Sequence, residues 1–594
     1  MMRTIRGAAA FVMLFGASNF PLGAHATIVS WKVLNNNRVF LNEDNQKKFQ
    51  QELCRARECS KENEDSDHLC QPYRDVLKGQ YCAKDRLRKN DGVSYWIPLP
   101  ESLPTAWDEY TATYGPKADY IFSKIRKIRG RAHDLPDNAS CRWELIPPGP
   151  NAPENTNCAE FIGKVELDVP YKLTIHVTKP DNTIEDTSRD VLVHDIFVVA
   201  LGDSYSSGEG NPHTVRGILD QGPYKSMQLD TWWDRRCHRS LFNFTSMAVG
   251  LAAIQNTLLD SPKHTFTYLN YACSGAQVKD PSPATQGEGG LLTTYAGRET
   301  LDQISYYEKL FSTDLGLGKR NAASDSKFLP AQIDQLKAMI CPEGAFKKDC
   351  ENMRRPDYVI MTIGGNDVGF GDIIRQALLM CNSTLSNLGH ALGVSEQCAI
   401  DAVKGRLDRL ARDLGSLATV LEDVKPKKVL LSEYVDLTHN EKRVSCDDFN
   451  MDRTLGPADL RIVGVGITRE AAEITYRTVL LELNKVLKAA AVAHRDQGWK
   501  FVSGIERRSE IRGWCAKPSW FVTWADSSFK QGFLPDSNSQ LSRTLTTGIA
   551  HPNIFAQNFA AWRIRCEFDK DGLIPAGFSQ LPVDSKASCE PLQQ

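Results

Sequence analysis

The sequence predicts an α/β protein in which a three-layer domain, built around a central parallel sheet, follows a β-rich N-terminal region. Two observations support this class. In the second part of the chain, strand-like segments alternate with helical segments, which is typical of α/β domains. Before His194 and Asp195, the strand-like segments instead alternate apolar and polar residues. The 594 residues also exceed the ~250–300 residues of a single core, so we expect two or more domains.

Residues 1–26 are typical of a secretion signal. Positive charges at Arg3 and Arg6 precede a mostly apolar run at 7–20, and the final AHA fits a small-x-small cleavage site. The apolar run is shorter than the ~20 residues that cross a bilayer, so a retained anchor is the weaker alternative. We therefore expect an exported mature chain, secreted (extracellular) or periplasmic, with no transmembrane segment.

Residues 27–195 form the predicted β-rich region. The segments IVSWKVL (28–34), KVELDV (164–169) and YKLTIHVT (171–178) have strand composition or alternate apolar and polar residues. KPDNT, which follows the last of them, is a turn cluster. Together these segments resemble the last strands of an immunoglobulin-like sandwich. We interpret residues 43–135 as a charged, cysteine-bearing insertion that is partly helical, as in KADYIFSKIRKIRG at 117–130.

Five later segments predict the strands of the central sheet. They are DIFVVAL (195–201), TFTYLNY (265–271), DYVIMTI (357–363), KKVLLSEY (427–434) and KFVSGI (500–505). The nearly continuous apolar character of DIFVVAL fits a strand that is buried on both faces of a parallel sheet. Helical runs at 242–255 and 468–494 lie between the segments. In such sheets, ligands bind beyond the carboxyl ends of the strands.

Charge and cysteine content narrow the classes of function. A formal net charge of −2 gives no support to nucleic-acid binding. The 16 cysteines, an even number without a C-x-x-C pair, favour disulfides in an oxidising compartment. The most metal-like group matches no zinc spacing, so we interpret it as local disulfides: Cys54, Cys59, His68, Cys70 and Cys82. Short loops suggest three further pairs: Cys141 with Cys158, Cys341 with Cys350, and Cys381 with Cys398.

Polar residues follow the predicted strands at the edge where such a sheet binds its ligands. GDSYSS puts Ser204 after the first strand, ACSGA puts Gly275 after the second, and GGND puts Asn366 after the third. Near the C-terminus, GIAHPN puts His551 before a helical run. Acyl transfer needs this set, because a serine nucleophile requires a base and the oxyanion of the tetrahedral intermediate requires N–H donors.

These four blocks, in this order, resemble the SGNH (GDSL) hydrolase superfamily, and CHRS at 237–240 with YACSGA is similar to its secreted, disulfide-bearing esterase and lipase branch. The resemblance covers roughly 196–567, an expected hydrolase domain with a flavodoxin-like sheet, and leaves 568–594 as a C-terminal tail. It implies Ser204 as nucleophile, His551 as base, and an oxyanion hole formed by Ser204, Gly275 and Asn366. It also implies two disulfides: Cys237 with Cys273, and Cys446 with Cys515.

One position departs from the usual pattern of the superfamily. Most SGNH enzymes carry an aspartate three residues before the histidine, whereas this chain carries Gly548. The esterase branch resembled here uses a backbone carbonyl at this position, which implies that the Gly548 carbonyl orients His551. The alternative is a carboxylate from elsewhere, and Asp526 and Asp536 are the nearest acidic residues upstream.

The resemblance implies a carboxylic ester hydrolase that works through an acyl-enzyme intermediate without a cofactor or metal. The substrate stays open between short acyl esters, lipid esters and acylated glycans, and we expect a monomer without a nucleic-acid partner. The alternative is an inactive or weakly active protein that binds a surface or polymer through its immunoglobulin-like region. An α/β-hydrolase is a weaker alternative, because neither Ser204 nor Ser274 lies in a G-x-S-x-G elbow. Five aromatic residues could line a pocket or pack in the core: Trp232, Trp233, Trp514, Trp520 and Phe521.

Overall fold

The computed structural model describes most of the β-rich region and the strands and helices of the central sheet. The described residues are 27–39, 43–60, 107–108, 113–114, 118–211, 214–217, 228–231, 237–257, 264–279, 331–341, 350, 352–369, 400–447, 469–517, 519–522, 548 and 550–573. The expected signal segment at 1–26 lies outside them. Several residues singled out from the sequence lie outside them as well: Trp232, Trp233, Cys381, Cys398, Asp526 and Asp536.

The secondary structure agrees in outline with the predicted succession of elements. The strands are β1 (Ile28–Val33), β2 (Trp107–Asp108), β3 (Thr113–Tyr114), β4 (Ile125–His133), β5 (Ser140–Ile146), β6 (Asn155–Thr156), β7 (Glu160–Glu166), β8 (Tyr171–Thr178), β9 (Ile184–Val191), β10 (His194–Gly202), β11 (Thr214–Gly217), β12 (Gln228–Thr231), β13 (His264–Asn270), β14 (Tyr358–Thr362), β15 (Lys428–Ser432) and β16 (Trp499–Val502). The helices are α1 (Glu43–Ser60), α2 (Ala118–Ile121), α3 (Ser204–Ser207), α4 (Phe244–Thr257), α5 (Gln332–Ile340), α6 (Ile400–Val424), α7 (Arg469–Ile474), α8 (Leu481–Ala493), α9 (Ile505–Ser509) and α10 (Ile554–Lys570). A π-helical segment, Thr475–Leu480, joins α7 to α8, and a 3-10 turn, Arg495–Gln497, follows α8.

Two antiparallel sheets of the β-rich region share one core, and β2 and β3 form a separate two-stranded sheet. The first has the strand order β1-β4-β7-β6, and the second has the order β5-β8-β9. Trp31 and Ile128 of the first sheet join the same buried cluster as Trp143 and Leu173 of the second. At Gly130 the sheets approach so closely that an added Cβ would lie 2.7 Å from the Leu173 side chain. The two sheets are therefore packed face to face, and their immunoglobulin-like class stays a prediction.

The segment 117–130 differs from the expectation. It is helical only in α2 and then continues as β4, in which buried positions alternate at Arg126, Ile128 and Gly130. The helical interpretation is wrong for β4, because a buried arginine and a buried glycine conceal the alternation that marks a strand. Pairing with β1, with Ile28 opposite His133, makes this part of the expected insertion an integral strand of the first sheet.

Five parallel strands form the central sheet, in the order β13-β10-β14-β15-β16. Each strand coincides with one of the five predicted segments. The first strand along the chain, β10, lies between the second and the third, which is the order of flavodoxin-type sheets. The direction of winding therefore reverses between β10 and β14. Open α/β sheets bind their ligands at such a switch point, outside the carboxyl ends of the strands.

Two groups of helices flank the sheet and give an α/β domain. In the first group, α1, α4 and α10 contact one another, and α4 also contacts β13. In the second, α6, the π-helical segment and α8 contact one another, and α8 also contacts β15 and β16. Helix α10 continues to Lys570 with Phe568 fully buried, so packed structure extends past the expected boundary at 567. No helix within the described ranges is long and apolar enough to span a membrane.

Disulfides connect several of these elements. Four pairs lie within the described residues: Cys141–Cys158, Cys237–Cys273, Cys341–Cys350 and Cys446–Cys515. Cys54 and Cys566 are also disulfide-bonded. The side chains of the other members of the Cys54 group lie outside the described residues. Disulfides of this number are typical of proteins that fold in an oxidising compartment.

A buried ion cluster joins the β-rich region to the central sheet. Asp195, at the start of β10, pairs with Arg126 of β4 at 3.0 Å and also with Arg354. Burial alone would raise the pKa of Asp195, but Arg126, Arg354 and Arg38 outweigh it and hold the pKa at about 2. The carboxylate therefore stays charged at neutral pH and fixes β10 against β4.

Candidate active site

Strand β10 ends in a tight turn that presents Ser204 at the carboxyl edge of the sheet (residues 202–208, the serine turn). Gly202 has a φ of +117°, and an added Cβ there would lie 2.1 Å from the carbonyl oxygen of Thr362 on β14. Glycine alone fits this approach without a shift of the backbone. Asp203 then caps α3, since its carboxylate accepts the backbone N–H of Tyr205 at 3.1 Å.

The three serines of α3 differ in what their hydroxyl groups contact. The Ser206 hydroxyl oxygen accepts the backbone N–H of Thr362 at 2.7 Å and lies 2.9 Å from the Thr362 hydroxyl. The Ser207 hydroxyl donates to the carbonyl oxygen of Ser204 at 3.1 Å. Both side chains are fully buried, whereas Ser204 keeps 7% of its surface exposed. Ser206 and Ser207 therefore hold the turn together.

A buried hydrogen-bond network fixes Asp203 at the base of the serine turn. Its carboxylate accepts the Thr362 hydroxyl at 2.9 Å and also the hydroxyl of Tyr434, which follows β15. The Tyr434 oxygen in turn accepts the backbone N–H of Gly365 at 2.8 Å. Burial raises the pKa of Asp203 to about 6, although the hydrogen bonds from Tyr434 and Thr362 oppose the rise. This network ties together the ends of β10, β14 and β15.

Gly275 and Asn366 lie on two interlocked loops. The first follows β13 (residues 271–279, the glycine loop), and the second follows β14 (residues 363–369, the asparagine loop). The Asn366 amide donates to the carbonyl oxygen of Ala276 at 3.0 Å, and the Asp367 carboxylate accepts the backbone N–H of Val278 at 3.0 Å. Gly275 has a φ of +84°, in the left-handed region that favours glycine. The structure thus brings the second and third predicted positions together.

The glycine loop is also tied to the serine turn. The backbone N–H of Cys273 donates to the carbonyl oxygen of Gly202 at 3.0 Å. Cys273 is bonded through its disulfide to Cys237, whose carbonyl oxygen accepts the backbone N–H of Ser274 at 3.1 Å. These contacts fix the backbone on either side of the disulfide, and therefore the position of Gly275 relative to Ser204.

His551 lies in the loop that precedes α10 (residues 548 and 550–553, the histidine loop). This loop pairs with the neighbouring segment 519–522, since the N–H of Val522 donates to the carbonyl oxygen of His551 at 2.9 Å. Asn553 caps α10 by accepting two backbone N–H groups. The His551 ring lies 5.8 Å from the ring of Tyr205, measured between centroids. Because Tyr205 follows Ser204 directly, the histidine loop lies against α3.

Gly548 occupies the position where most SGNH enzymes carry an aspartate. Its carbonyl oxygen accepts the backbone N–H of His551 at 3.3 Å. An added Cβ at Gly210 would lie 3.2 Å from this oxygen and 3.6 Å from the His551 Cβ, so the chain after the serine turn packs directly on the histidine loop. Asp526 and Asp536, the alternatives to the carbonyl, lie outside the part of the chain that the structure describes.

Sequence reasoning missed an ion pair beside the histidine loop. Glu209 is fully buried, and its carboxylate lies 2.7 Å from Nδ1 of His238. Burial alone would raise the pKa of Glu209, but His238, together with His551 and Ser274, holds it well below its usual range. Glu209 lies in the motif GDSYSSGEG, and His238 lies in CHRS. The charged Glu209 between two glycines is the feature of the sequence that could have indicated this pair.

The aromatic candidates divide by burial. Trp520 and Phe521 are buried, and the Trp520 ring lies 5.3 Å from the ring of Phe559 on α10. Trp514 is partly buried against the same core. These contacts favour core packing over a pocket lining for the three described residues. Trp232 and Trp233 lie outside the described residues.

The functional groups at this edge of the sheet determine which chemistry the site can carry out. A hydroxyl, an imidazole and several N–H donors lie on neighbouring loops, each fixed by backbone hydrogen bonds. In the described parts of the chain, no group of three or more His, Cys, Asp or Glu residues could hold a metal ion. The arrangement can therefore serve nucleophilic catalysis by a serine with a histidine base.

Comparison with known proteins gives little further information. No protein-family model matches the chain, and no curated protein matches it. Among solved structures, it is similar to an extracellular lipase from Streptomyces rimosus, with 15% identity and a TM-score of 0.28. The similar region covers 63% of this chain and 98% of the lipase chain. A TM-score this low does not establish a shared fold or activity.

Proposed function

We propose that the protein is an exported serine hydrolase that cleaves carboxylic esters through a Ser204–His551 pair. The observation that carries this proposal is the convergence of the serine turn, the glycine loop and the asparagine loop at the switch point of the sheet. The histidine loop lies against the same turn through the contact of His551 with Tyr205. Four motifs separated by long stretches of sequence thus meet at one edge.

In the proposed reaction, the Ser204 oxygen attacks the ester carbonyl carbon while His551 takes the hydroxyl proton. The tetrahedral intermediate then expels the alcohol, which receives that proton from His551, and leaves an acyl group on Ser204. Water then attacks the acyl carbon while His551 takes its proton; the bond to the Ser204 oxygen breaks, the carboxylic acid leaves, and His551 returns the proton to Ser204. Ser204 is the favoured nucleophile because the other two hydroxyls are already hydrogen-bonded, that of Ser206 to Thr362 of β14 and that of Ser207 to the Ser204 carbonyl.

The oxyanion of the intermediate would accept N–H groups from Ser204, Gly275 and Asn366. The Asn366 amide carries two N–H bonds, and its contact with the Ala276 carbonyl uses one of them. The other can serve the oxyanion. Interlocking of the glycine and asparagine loops supports this role, because preorganised donors stabilise a developing charge more than mobile ones do.

His551 needs its second ring nitrogen held so that the nitrogen facing Ser204 can accept a proton. We propose that the Gly548 carbonyl accepts that Nδ1–H. The proximity of this oxygen to His551 supports the assignment, because it already accepts the His551 backbone N–H at 3.3 Å. A carbonyl orients the ring without adding a negative charge.

The remaining features complete the proposal. Residues 1–26 would direct export, residues 27–195 would form an immunoglobulin-like domain, and residues 196–567 would form the hydrolase domain with an SGNH-type site. The disulfides support an extracellular or periplasmic location. The substrate would be a small-molecule, lipid or acylated-glycan ester, hydrolysed by a monomer.

The test is turnover of p-nitrophenyl esters of increasing acyl length by the oxidised mature protein. We expect hydrolysis of at least the acetate, and the chain-length profile then defines the acyl class. Ser204→Ala should abolish turnover, whereas Ser416→Ala, the same change at an exposed serine of α6, should leave it unchanged. Correctly folded wild-type protein without turnover would contradict the proposal and favour the polymer-binding alternative.

A further inference from the structure

We infer that Glu209, paired with His238, supplies the negative charge that supports His551 and that Gly548 cannot supply. Glu209 is a positioning residue in this inference, which rests on the proposed function. Its backbone N–H donates to the carbonyl oxygen of Ser204 at 3.0 Å, so it is fixed at the end of the serine turn. Its side chain is fully buried against His238.

The backbone around Glu209 is attached to the histidine loop. Gly210 lies so close to that loop that an added Cβ would be 3.6 Å from the His551 Cβ. The Asn211 amide donates to the carbonyl oxygen of Pro552 at 2.8 Å and to that of Glu209 at 3.2 Å. A displacement of Glu209 would therefore displace the base.

The other member of the pair is attached to the opposite side of the site. His238 follows Cys237, which is bonded to Cys273 of the glycine loop. The Ser274 hydroxyl also faces Glu209 and helps to lower the pKa of its carboxyl group. The ion pair thus bridges the loop that carries the base and the loop that carries a proposed oxyanion donor.

His551 becomes positively charged during the proposed reaction. When the Ser204 oxygen bonds to the ester carbon, its proton moves to the imidazole, which becomes a cation. The Glu209 carboxylate interacts electrostatically with His551, and the ring of Tyr205 lies beside it; burial raises the pKa of Tyr205, so that ring stays neutral. Glu209 is therefore an anion placed to stabilise that cation.

Stability alone is a weak explanation for this pair. A buried ion pair often contributes no more to stability than apolar residues of the same size. Its position beside the histidine loop fits a role in placing and stabilising the base. Glu209→Gln keeps the size of the side chain and removes its charge, so it separates the two roles.

The experiment is the pH dependence of kcat/KM for p-nitrophenyl acetate, because its acid limb reports the pKa of the base in the free enzyme. Glu209→Gln should move the acid limb to lower pH by about 0.5–1 unit, since the imidazolium loses a nearby anion. We expect kcat at neutral pH to fall roughly tenfold, with KM changed less than about twofold. An acid limb that stays in place would overturn the inference.

Two further variants keep the test decisive. Asp436→Asn breaks another buried histidine–carboxylate pair, in which the Asp436 carboxylate lies 2.6 Å from Nδ1 of His439. This control should lower stability without moving the acid limb. If Glu209→Gln fails to fold, Glu209→Gln with His238→Gln replaces the ion pair by two neutral amides; it should move the acid limb in the same direction but by less, because the His238 cation is removed together with the Glu209 anion. Absence of Ser204-dependent turnover in the wild type would defeat the proposed function. Turnover with an unmoved acid limb would defeat only the role of Glu209.

Discussion

Tyr434→Phe tests whether the network around Asp203 holds the site together. Tyr434 is almost fully buried, and its hydroxyl makes two contacts. It donates to the Asp203 carboxylate and accepts the backbone N–H of Gly365 at 2.8 Å. The substitution removes one oxygen and leaves the ring, so its effect is confined to those two hydrogen bonds.

The two lost bonds set the expected loss of stability. A hydrogen bond to a charged group contributes about 1.5–3 kcal/mol, and a buried N–H left without a partner costs about 1–3 kcal/mol. Tyr434→Phe should therefore lower the free energy of unfolding by about 2.5–6 kcal/mol at neutral pH. The matched control is Tyr476→Phe. Its hydroxyl donates to Glu506 at 2.8 Å from a half-buried position, and we expect a loss of about 1 kcal/mol.

The loss of stability caused by Tyr434→Phe should depend on pH. The folded-state pKa of Asp203, about 6, lies above its ordinary value of 3.8. Its contribution to stability is therefore complete below about pH 4 and is lost as the pH rises through about 6. Removal of the Tyr434 hydroxyl raises the pKa further, so the loss continues to higher pH. The deficit should grow between about pH 6 and about pH 8.

Urea unfolding of the oxidised proteins, followed by tryptophan fluorescence at several pH values, measures these differences. We expect Tyr434→Phe to lose more free energy of unfolding than Tyr476→Phe. We also expect the loss for Tyr434→Phe to be larger at the higher pH. Equal deficits for the two tyrosines, or a deficit that shrinks as the pH rises, would refute the reasoning about the network.

Three further results are expected. Gly210→Ala should reduce kcat at least about tenfold, because the left-handed backbone and the close contact with the histidine loop both resist a side chain; unchanged kinetics would contradict that packing. Removal of the Cys237–Cys273 disulfide by paired alanine substitutions should lower stability by about 2–4 kcal/mol, measured as a drop in Tm under non-reducing conditions; an unchanged Tm would show that the bond is dispensable. Asp526→Asn and Asp536→Asn should each cost far less turnover than the roughly 10⁴-fold loss typical of a triad aspartate; a folded variant of either as inactive as Ser204→Ala would identify the aspartate as the third member.

The sequence predicts the central sheet well because three of its strands, β10, β14 and β15, are mostly apolar runs, and because helical segments alternate with strand-like ones. DIFVVAL and the four later segments coincide with β10, β13, β14, β15 and β16, and the position of Ser204 after β10 follows from that pattern. Strand β4 could not be found in the same way. Its inward positions include Arg126, which is buried because Asp195 compensates its charge, and that partner lies on a distant strand.

The framework of the site is only partly visible in sequence. The Ser204, Gly275, Asn366 and His551 blocks stand out as motifs. The pair of Glu209 and His238 joins residues 29 positions apart, and Tyr434 reaches Asp203 across 231 positions. Such contacts depend on which loops the sheet order brings together, and residue spacing does not encode that order.

The central claim is that Ser204 is the nucleophile, and labelling with a fluorophosphonate probe tests it most directly. The probe should react with the oxidised wild-type protein, and peptide mass mapping should locate the phosphonate on Ser204. His551→Ala should slow that reaction by about 10²-fold or more, because the serine loses its base. Phosphonate found on Ser206 or Ser207, or equal labelling of Ser204→Ala, would contradict the account.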